Sequence, residues 1–405
     1  MKELLLQTES GSTQLKPAER QVQPVPPSFT LIPLAPDGAE YRQPFANAQL
    51  NSRVGFALPS KKWSVLWKAD LHPSFVPSWV LQGGNRILVQ AGEFRLFDLE
   101  GRKIAADRAG SAPMFLDREK GLFYGTVPTG YFAANQLAKG TPAYLFLPAL
   151  GDSARRILIA RKEKRLLIAG VERPVDPHGH VKPTRSVIQV TEIKEPVRTA
   201  GPGLLQSGKP LGELYVASPE LMAAAGPDQV VFTTPRGIFL ADWDLKVRAV
   251  VRGAFKVRRF SLGELGGIYL IVQLKTGLEF WLLNREGGRI YSVTLPPEFP
   301  EPPIPPLIGY DHRAYLVASN RITTISDRGD ILWSYEASAP IAGAIVTANK
   351  RVLLCEGSRI VALNPANQSE VLATLPGTLI AAPVLTSEGA ILAIADKTLY
   401  CLTGK

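Results

Sequence analysis

The sequence predicts an all-β protein: an eight-bladed β-propeller, with seven blades the alternative, carrying an extended N-terminal arm. Three observations predict it. From Trp63 onward the chain is almost entirely short apolar runs separated by turns containing Gly, Asn or Asp, the pattern of strands joined by hairpins. These runs restart regularly, as "ILVQ" at Ile87, "LFYG" at Leu122, "LLIAG" at Leu166, "VVFTT" at Val230, "IYLIV" at Ile268, "AYLVA" at Ala314, "VLLCE" at Val352 and "ILAIA" at Ile391. The steps are 35, 44, 64, 38, 46, 38 and 39 residues, and a strand-only period near 40 is that of propeller blades, one four-stranded sheet per repeat. Finally, the last unit, "ILAIADKTLYCLTGK", is short, and "KWSVLWKADL" at 62–71 resembles the piece it lacks, since "LWKAD" parallels "LWSYE" at 332–336. Pairing 62–71 with the C-terminal blade would close the ring and remove two open sheet edges. The expected domains are an arm at 1–60 and a propeller at 61–405.

Residues 1–60 hold "KPAERQVQPVPPSFTLIPLAPDG", rich in Pro and Gln with no sustained period. Such a segment buries too little apolar surface to offset its ordering entropy, and it reads as an extended arm. Within the repeats, "SAP" at 111–113, "SAP" at 338–340 and "AAP" at 381–383 precede apolar runs, where proline's missing N–H and fixed φ suit the approach to a strand. The turns "DLEG" (98–101), "NREG" (284–287) and "SDRGD" (326–330) suit tight hairpins whose glycine takes positive φ. Runs such as "RIYSV" and "ILWSY" follow, and their aromatics are expected to wedge between neighbouring sheets. The long step from Leu166 to Val230 holds an insertion, with a short helix expected after Ser218: Pro219 suits its first turn and Gly226 its end. "LPPEFPEPPIPPLIG" (295–309) reads as a rigid connector, the alternative being a docking strip for an aromatic groove.

Composition bounds the rest. A hydrophobic share of 45% and a charged share of 20% are those of a soluble globular protein, and no apolar run reaches the ~18 residues a membrane span needs. The start, "MKELLLQTES", lacks a secretory signal pattern, which gives the expectation of a protein in the cytoplasm or assembled into a complex from it. The only cysteines, Cys355 and Cys401, lie in apolar runs and read as buried small hydrophobes. The net charge of +10 gathers in "RRILIARKEKR" (155–165) and "KVRAVVRGAFKVRR" (246–259). Basic and apolar residues alternate there, as on an outward strand face; acidic surfaces are conceivable partners and nucleic acid is not favoured.

The grammar "xAP, apolar run, Gly or Asn, I-x-x-L, G-x-x-LW" resembles the quinoprotein-type (PQQ-like) propeller repeat. That repeat is shared by quinoprotein alcohol dehydrogenases and the outer-membrane lipoprotein of the barrel-assembly machine. The likeness is clear over 313–405, fair over 63–110 and 229–296, and thin over 121–228. The dehydrogenases, as the resemblance implies, sandwich their quinone between a tryptophan and a disulfide of adjacent cysteines and add a calcium ion. This chain has no adjacent cysteine pair, so no cofactor and no enzymatic site are expected from that branch. The assembly lipoprotein carries a lipidated cysteine near its start, where this chain has none before Cys355. What carries over is a non-catalytic, protein-docking propeller.

Other chemistry is thinly signalled. Asp176, His178 and His180 in "DPHGHVKP" are the weak candidates for a metal site, because alternate residues of an extended segment point the same way, but the flanking Pro and Gly suit an exposed hairpin tip. "GLLQSGKP" (203–210) has the spacing of a phosphate loop, with Pro210 where a hydroxyl should reach Mg²⁺. "NQS" at 367–369 is a formal glycosylation acceptor, and Trp243-Asp244 is too isolated for a WD repeat. The function expected is therefore a non-catalytic protein–protein interaction scaffold in a multiprotein assembly, of bacterial-envelope or phage-tail type. The alternatives are a ligand-binding or hydrolytic propeller using the central funnel, and a basic surface that binds anionic lipid or nucleic acid.

Overall fold

The computed structural model describes residues 52–59, 62–71, 79–83, 85–90, 94–107 and 228–404. It also describes strand segments 112–117, 122–126, 132–136, 142–146, 158–162, 165–172, 185–192, 203–205, 211–216 and 222–226, and the backbone at 12–14. The chain divides into two compact units. One comprises 1–21, 125–134 and 142–297; the other comprises 22–124, 135–141 and 298–405.

The first unit holds a 4-stranded antiparallel sheet of Leu158–Lys162, Arg165–Glu172, Arg185–Glu192 and Gly212–Val216. A second meander, Met222–Ala225, Val230–Thr234, Gly237–Ala241 and Val247–Arg252, takes Ser12–Gln14 as a parallel fifth strand on its edge. A third runs Lys256–Leu262, Ile268–Leu274, Gly277–Leu283 and Arg289–Thr294. Pro142–Phe146 pairs in parallel with Gly203–Leu205.

Where the helix expected after Ser218 falls on described residues it is replaced: Met222–Ala225 is a strand, paired from Met222↔Thr233 to Ala225↔Val230. The hairpin decides this. Gly226 donates its N–H to the Gln229 carbonyl at 2.8 Å, and burial of Ala223, Ala224 and Ala225 outweighs alanine's modest helix preference.

The second unit holds 4-stranded antiparallel sheets at 79–107, 307–336 and 341–374. In its remaining sheet, Trp63–Asp70 pairs antiparallel with the final strand Thr398–Gly404, from Trp63↔Gly404 to Asp70↔Thr398, and that strand pairs with Ile391–Ala395.

Alternation across the 341–374 sheet shows how the core forms. Ala344, Val346, Val352, Leu354, Val361 and Leu363 pack into the apolar cluster shared with the 307–336 sheet. Their neighbours Ile345, Leu353, Cys355, Ile360 and Ala362 point the other way, into the cluster shared with 63–71, 79–97 and 384–402. Side chains alternate across a strand, so a sheet covered on both faces reads as a continuous apolar run. Last strands escape this: Arg289–Thr294 and Ile331–Glu336 alternate half-buried with exposed.

A single turn design closes the hairpins that lead into last strands. Its first residue donates N–H to the carbonyl four residues on and accepts from the N–H three residues on, as at Asp98–Arg102, Asp242–Lys246, Asn284–Gly288, Ser326–Asp330 and Asn364–Gln368. The side-chain oxygen of that first residue also accepts a backbone N–H within the turn: Asp98 from Arg102 (2.8 Å), Asn284 from Gly288 (2.7 Å), Asn364 from Gln368 (2.9 Å). The fourth position takes positive φ, filled by Gly101 (80°), Leu245 (58°), Gly287 (88°), Gly329 (91°) and Asn367 (62°).

Two of these turns receive a tryptophan from a neighbouring sheet, Trp333 of the expected "ILWSY" wedge and also Trp67. Trp67 donates its Nε1–H to the Leu99 carbonyl at 2.7 Å, and Trp333 donates to Pro365 at 3.2 Å, each reaching from one sheet to the turn of the next. Asn367, the acceptor of the formal glycosylation motif, donates its side-chain amide to the Ser334 carbonyl at 3.2 Å.

Candidate interaction site

Residues 52–59 fall inside the expected N-terminal arm, yet they lie across the ends of successive hairpins of the second unit. Val54 donates its N–H to the Val346 carbonyl and Val346 donates to the Ser52 carbonyl, both at 2.9 Å, giving a parallel bridge between Arg53 and Val346. Ala348 donates to the Phe56 carbonyl at 2.8 Å. Asn349 then serves Leu58 twice: its Oδ1 accepts the Leu58 N–H at 2.9 Å and its Nδ2 donates to the Leu58 carbonyl at 3.0 Å. The Thr347 hydroxyl holds that amide in place, donating to Oδ1 at 2.8 Å. Tyr310, on the neighbouring hairpin, donates its hydroxyl to the Val54 carbonyl at 3.1 Å. The Arg53 guanidinium lies over the Tyr310 ring, 4.4 Å from its centroid, with the residue only 1% exposed. A desolvated arrangement of that kind contributes about 2 kcal/mol. Pro59 reaches the next hairpin, beside Gly389.

The sequence reading missed this segment. Its signal was present: Val54, Phe56 and Leu58 repeat with period 2, and Val54 and Leu58 are buried in the apolar cluster with Phe56 packed against it. A period of that kind marks an extended segment with one covered face.

A second polar constellation lies between the 307–336 and 341–374 sheets. Glu356, 0% exposed, ends an apolar strand. It accepts hydrogen bonds from the Tyr335 hydroxyl at 2.8 Å and Ser338 Oγ at 3.2 Å, and it forms an ion pair with Arg359. Burial, and then the hydrogen bond to Glu356, push the Tyr335 phenol up to about 12. A buried carboxylate is tolerated only when its acceptor positions are served, and here a guanidinium and two hydroxyls serve them. The arrangement ties two sheets together.

The remaining sequence candidates fall as follows. Asp176, His178 and His180 lie outside the described residues, as do 206–210 of the phosphate-loop spacing, while Gly203–Leu205 is a strand. Among the described residues, no group of three or more His, Cys, Asp or Glu comes together to hold a metal. Cys355 and Cys401 are free and buried; burial raises both thiols, Cys401 to about 12. In the basic stretch, Lys246, Arg248, Arg252 and Lys256 are exposed while Val251 is buried, the outward face its alternation implies. Of 155–165, residues 155–157 and 163–164 lie outside the described residues, Leu158–Lys162 is a strand, and Arg165 pairs with Asp244 at 2.6 Å. In the proline-rich segment Leu295, Phe299, Pro302, Pro305 and Pro306 are buried and Pro297, Pro300 and Pro303 exposed. No helix among the described residues is long and apolar enough to cross a membrane, which leaves membrane-crossing strands unaddressed.

No protein-family model matches the chain, and no curated protein does. Solved structures do. BamB from Moraxella catarrhalis superposes with a TM-score of 0.58 at 9% identity, over 84% of this chain and 99% of that one. A europium-containing methanol dehydrogenase gives 0.60 at 10% identity, over 91% and 98%. The quinohemoprotein alcohol dehydrogenase ADHIIG from Pseudomonas putida HK5 gives 0.60 at 10% identity, over 91% of this chain and 81% of that one. Identities this low speak for the fold alone. Together with the antiparallel four-stranded sheets and their interlocking turns, they show that the chain has the β-propeller fold of the PQQ-like repeat.

Proposed function

We propose that this chain is a non-catalytic propeller that docks other proteins within a larger assembly, of bacterial-envelope or phage-tail type. The observation that carries this reading is the set of apolar side chains left in water on last strands. Leu66 is 59% exposed with Val65 beside it, and Ile331, Leu332 and Val371 are also exposed. The register slips between Val65 and Trp67, and this bulge leaves Leu66 without a cross-strand partner. Ile104 and Ile290 are exposed on last strands as well, and among the described residues only Leu211 and Leu265 join them from elsewhere, so exposed Val, Leu and Ile side chains concentrate on last strands, where they suit a contact surface. Fold likeness to BamB supports the same reading.

Lys256–Leu262 carries Lys256, Arg258 and Arg259, but the first strands Met222–Ala225, Ile341–Val346 and Val384–Leu385 consist mainly of Val, Leu, Ile and Ala. Those residues supply packing and no proton-transfer groups, which favours docking over a ligand-binding or hydrolytic role. In this reading the propeller has eight blades, spans 61–405 and is closed by Trp63–Asp70, while the residues before it add reach towards a second site. Exposed Lys246, Arg248, Arg252 and Lys256 favour a partner with an acidic surface.

The test compares the wild-type chain with the double variant Leu66→Asp, Leu332→Asp as baits for quantitative affinity purification. The wild type should retain a defined protein set, and the variant, with unchanged circular dichroism, should lose most of it. Equal capture by both would remove the last strands as the docking surface. Alcohol-dependent dye reduction in the presence of quinone and calcium would overturn the non-catalytic reading.

A further inference from the structure

We propose that the hairpin ends at 309–313 and 347–351, with the end of the strand Ile341–Val346, form an arginine-anchored binding site for an extended peptide, which the chain's own residues 52–58 occupy in cis. The ligand class is an extended segment of pattern Arg-aliphatic-x-aromatic-x-Leu. This site is distinct from the last-strand surface and does not rest on it.

Main-chain recognition is the first ground. The segment is held through its backbone at Ser52, Val54, Phe56 and Leu58 by the Val346 N–H and carbonyl, the Ala348 N–H, the Tyr310 hydroxyl and both ends of the Asn349 amide. Strand-addition sites work in this way: backbone hydrogen bonds supply affinity and pockets for alternate side chains supply selectivity. The alternation is present, since Val54, Phe56 and Leu58 face the apolar cluster while Ala57 faces solvent.

The second ground is the anchor. Burying a guanidinium is costly, and a segment that served only to fill space would carry an apolar residue there. Arg53 instead meets a ring whose hydroxyl is itself engaged with the next carbonyl along, so Tyr310 reads the side chain and the backbone of the same dipeptide. A planar, delocalised cation suits that ring face better than a lysine ammonium.

The third ground is that the receiving surface is built without its occupant. Thr347 donates N–H to the Arg351 carbonyl and Lys350 donates to Thr347, both at 2.9 Å, so the hairpin carrying Asn349 closes on itself. Gly309 donates to Arg313 at 2.9 Å and His312 to Gly309 at 3.1 Å, closing the hairpin that carries Tyr310. A preformed surface binds with little ordering cost. The cis segment lies only a few residues before Trp63, so its effective concentration is of millimolar order and a competing segment must overcome that advantage.

The experiment uses the full chain and a fluorescein-labelled peptide of residues 52–60, SRVGFALPS, in an anisotropy titration. Wild type, its site filled, should bind the peptide weakly. The variant Arg53→Ala, Val54→Ser, with its cis segment loosened, should bind at least tenfold more tightly. Adding Asn349→Ala, or using a peptide with Ala for Arg, should each weaken that binding about tenfold or more. A folded double variant that binds no better than wild type, or that accepts the Arg-less peptide equally, overturns the proposal. A second readout covers a variant that fails to fold: hydrogen exchange of the wild type with millimolar peptide. The Val54 amide should exchange faster while the Val346 amide stays protected by the incoming peptide; no change at Val54 overturns the proposal as well.

Discussion

Replacing Gly101 with Ala tests the interlock between sheets. Gly101 occupies the positive-φ position of its turn, at 80°, and a Cβ there would stand 2.6 Å from Cδ2 and 2.7 Å from Cε3 of Trp67. Two costs follow. Holding an alanine at positive φ costs about 1–2 kcal/mol. Displacing the indole costs its hydrogen bond to Leu99, about 1 kcal/mol, plus part of its packing, for a total of about 3 kcal/mol. The control is the same substitution with the indole already replaced, since Trp67→Leu frees the space and leaves the backbone cost of Gly101→Ala. The assay is urea unfolding followed by circular dichroism and tryptophan fluorescence, comparing midpoints at constant slope. Gly101→Ala should cost about 1–2 kcal/mol more in the wild type than in the Trp67→Leu background. Equal costs in the two backgrounds would refute the steric account.

Further expectations follow from the same geometry. Tyr335 has its phenol raised from 10.0 to about 12, so the unfolded chain releases this proton first and stability falls as pH rises from about 10 to 12. Tyr335→Phe should flatten that part of a base-denaturation curve, and a curve identical to wild type would remove Tyr335 from the cause. Glu356→Leu leaves Arg359 without its carboxylate and two hydroxyls without their acceptor, and should lower stability by about 3 kcal/mol in urea unfolding. Cys355 and Cys401 are buried with raised pKa values, so a thiol reagent at neutral pH should label both only at the rate of unfolding; fast labelling of either would contradict its placement.

Much of the architecture was legible in the chain because turn chemistry and strand alternation are local. Asp98, Asn284, Ser326 and the glycines three residues after each announce their hairpins whatever the surroundings. Trp333 was legible as a wedge for the same reason, and Trp67 occupies the matching place through the parallel of "LWKAD" with "LWSYE". The segment after Ser218 was misread because "MAAA" favours a helix locally and becomes a strand only when Val230–Thr234 is beside it. Arg53 lay in a stretch whose composition argued for an arm, and composition averages away a period-2 signal that spans only Val54 to Leu58. Glu356 ends an apolar run with no local signal of its burial, which depends on Tyr335 and Ser338 from before the strand.

By itself, then, the sequence determined most of the strands, their spacing near forty residues and the turn type, because these follow from side-chain periodicity and the φ preferences of glycine, asparagine and proline. Only the tertiary structure decided which polar groups are withdrawn from water. Arg53 and Glu356 acquire their meaning from Tyr310, Asn349 and Tyr335, residues that folding brings near, and desolvation energy depends on that neighbourhood, not on position in the chain.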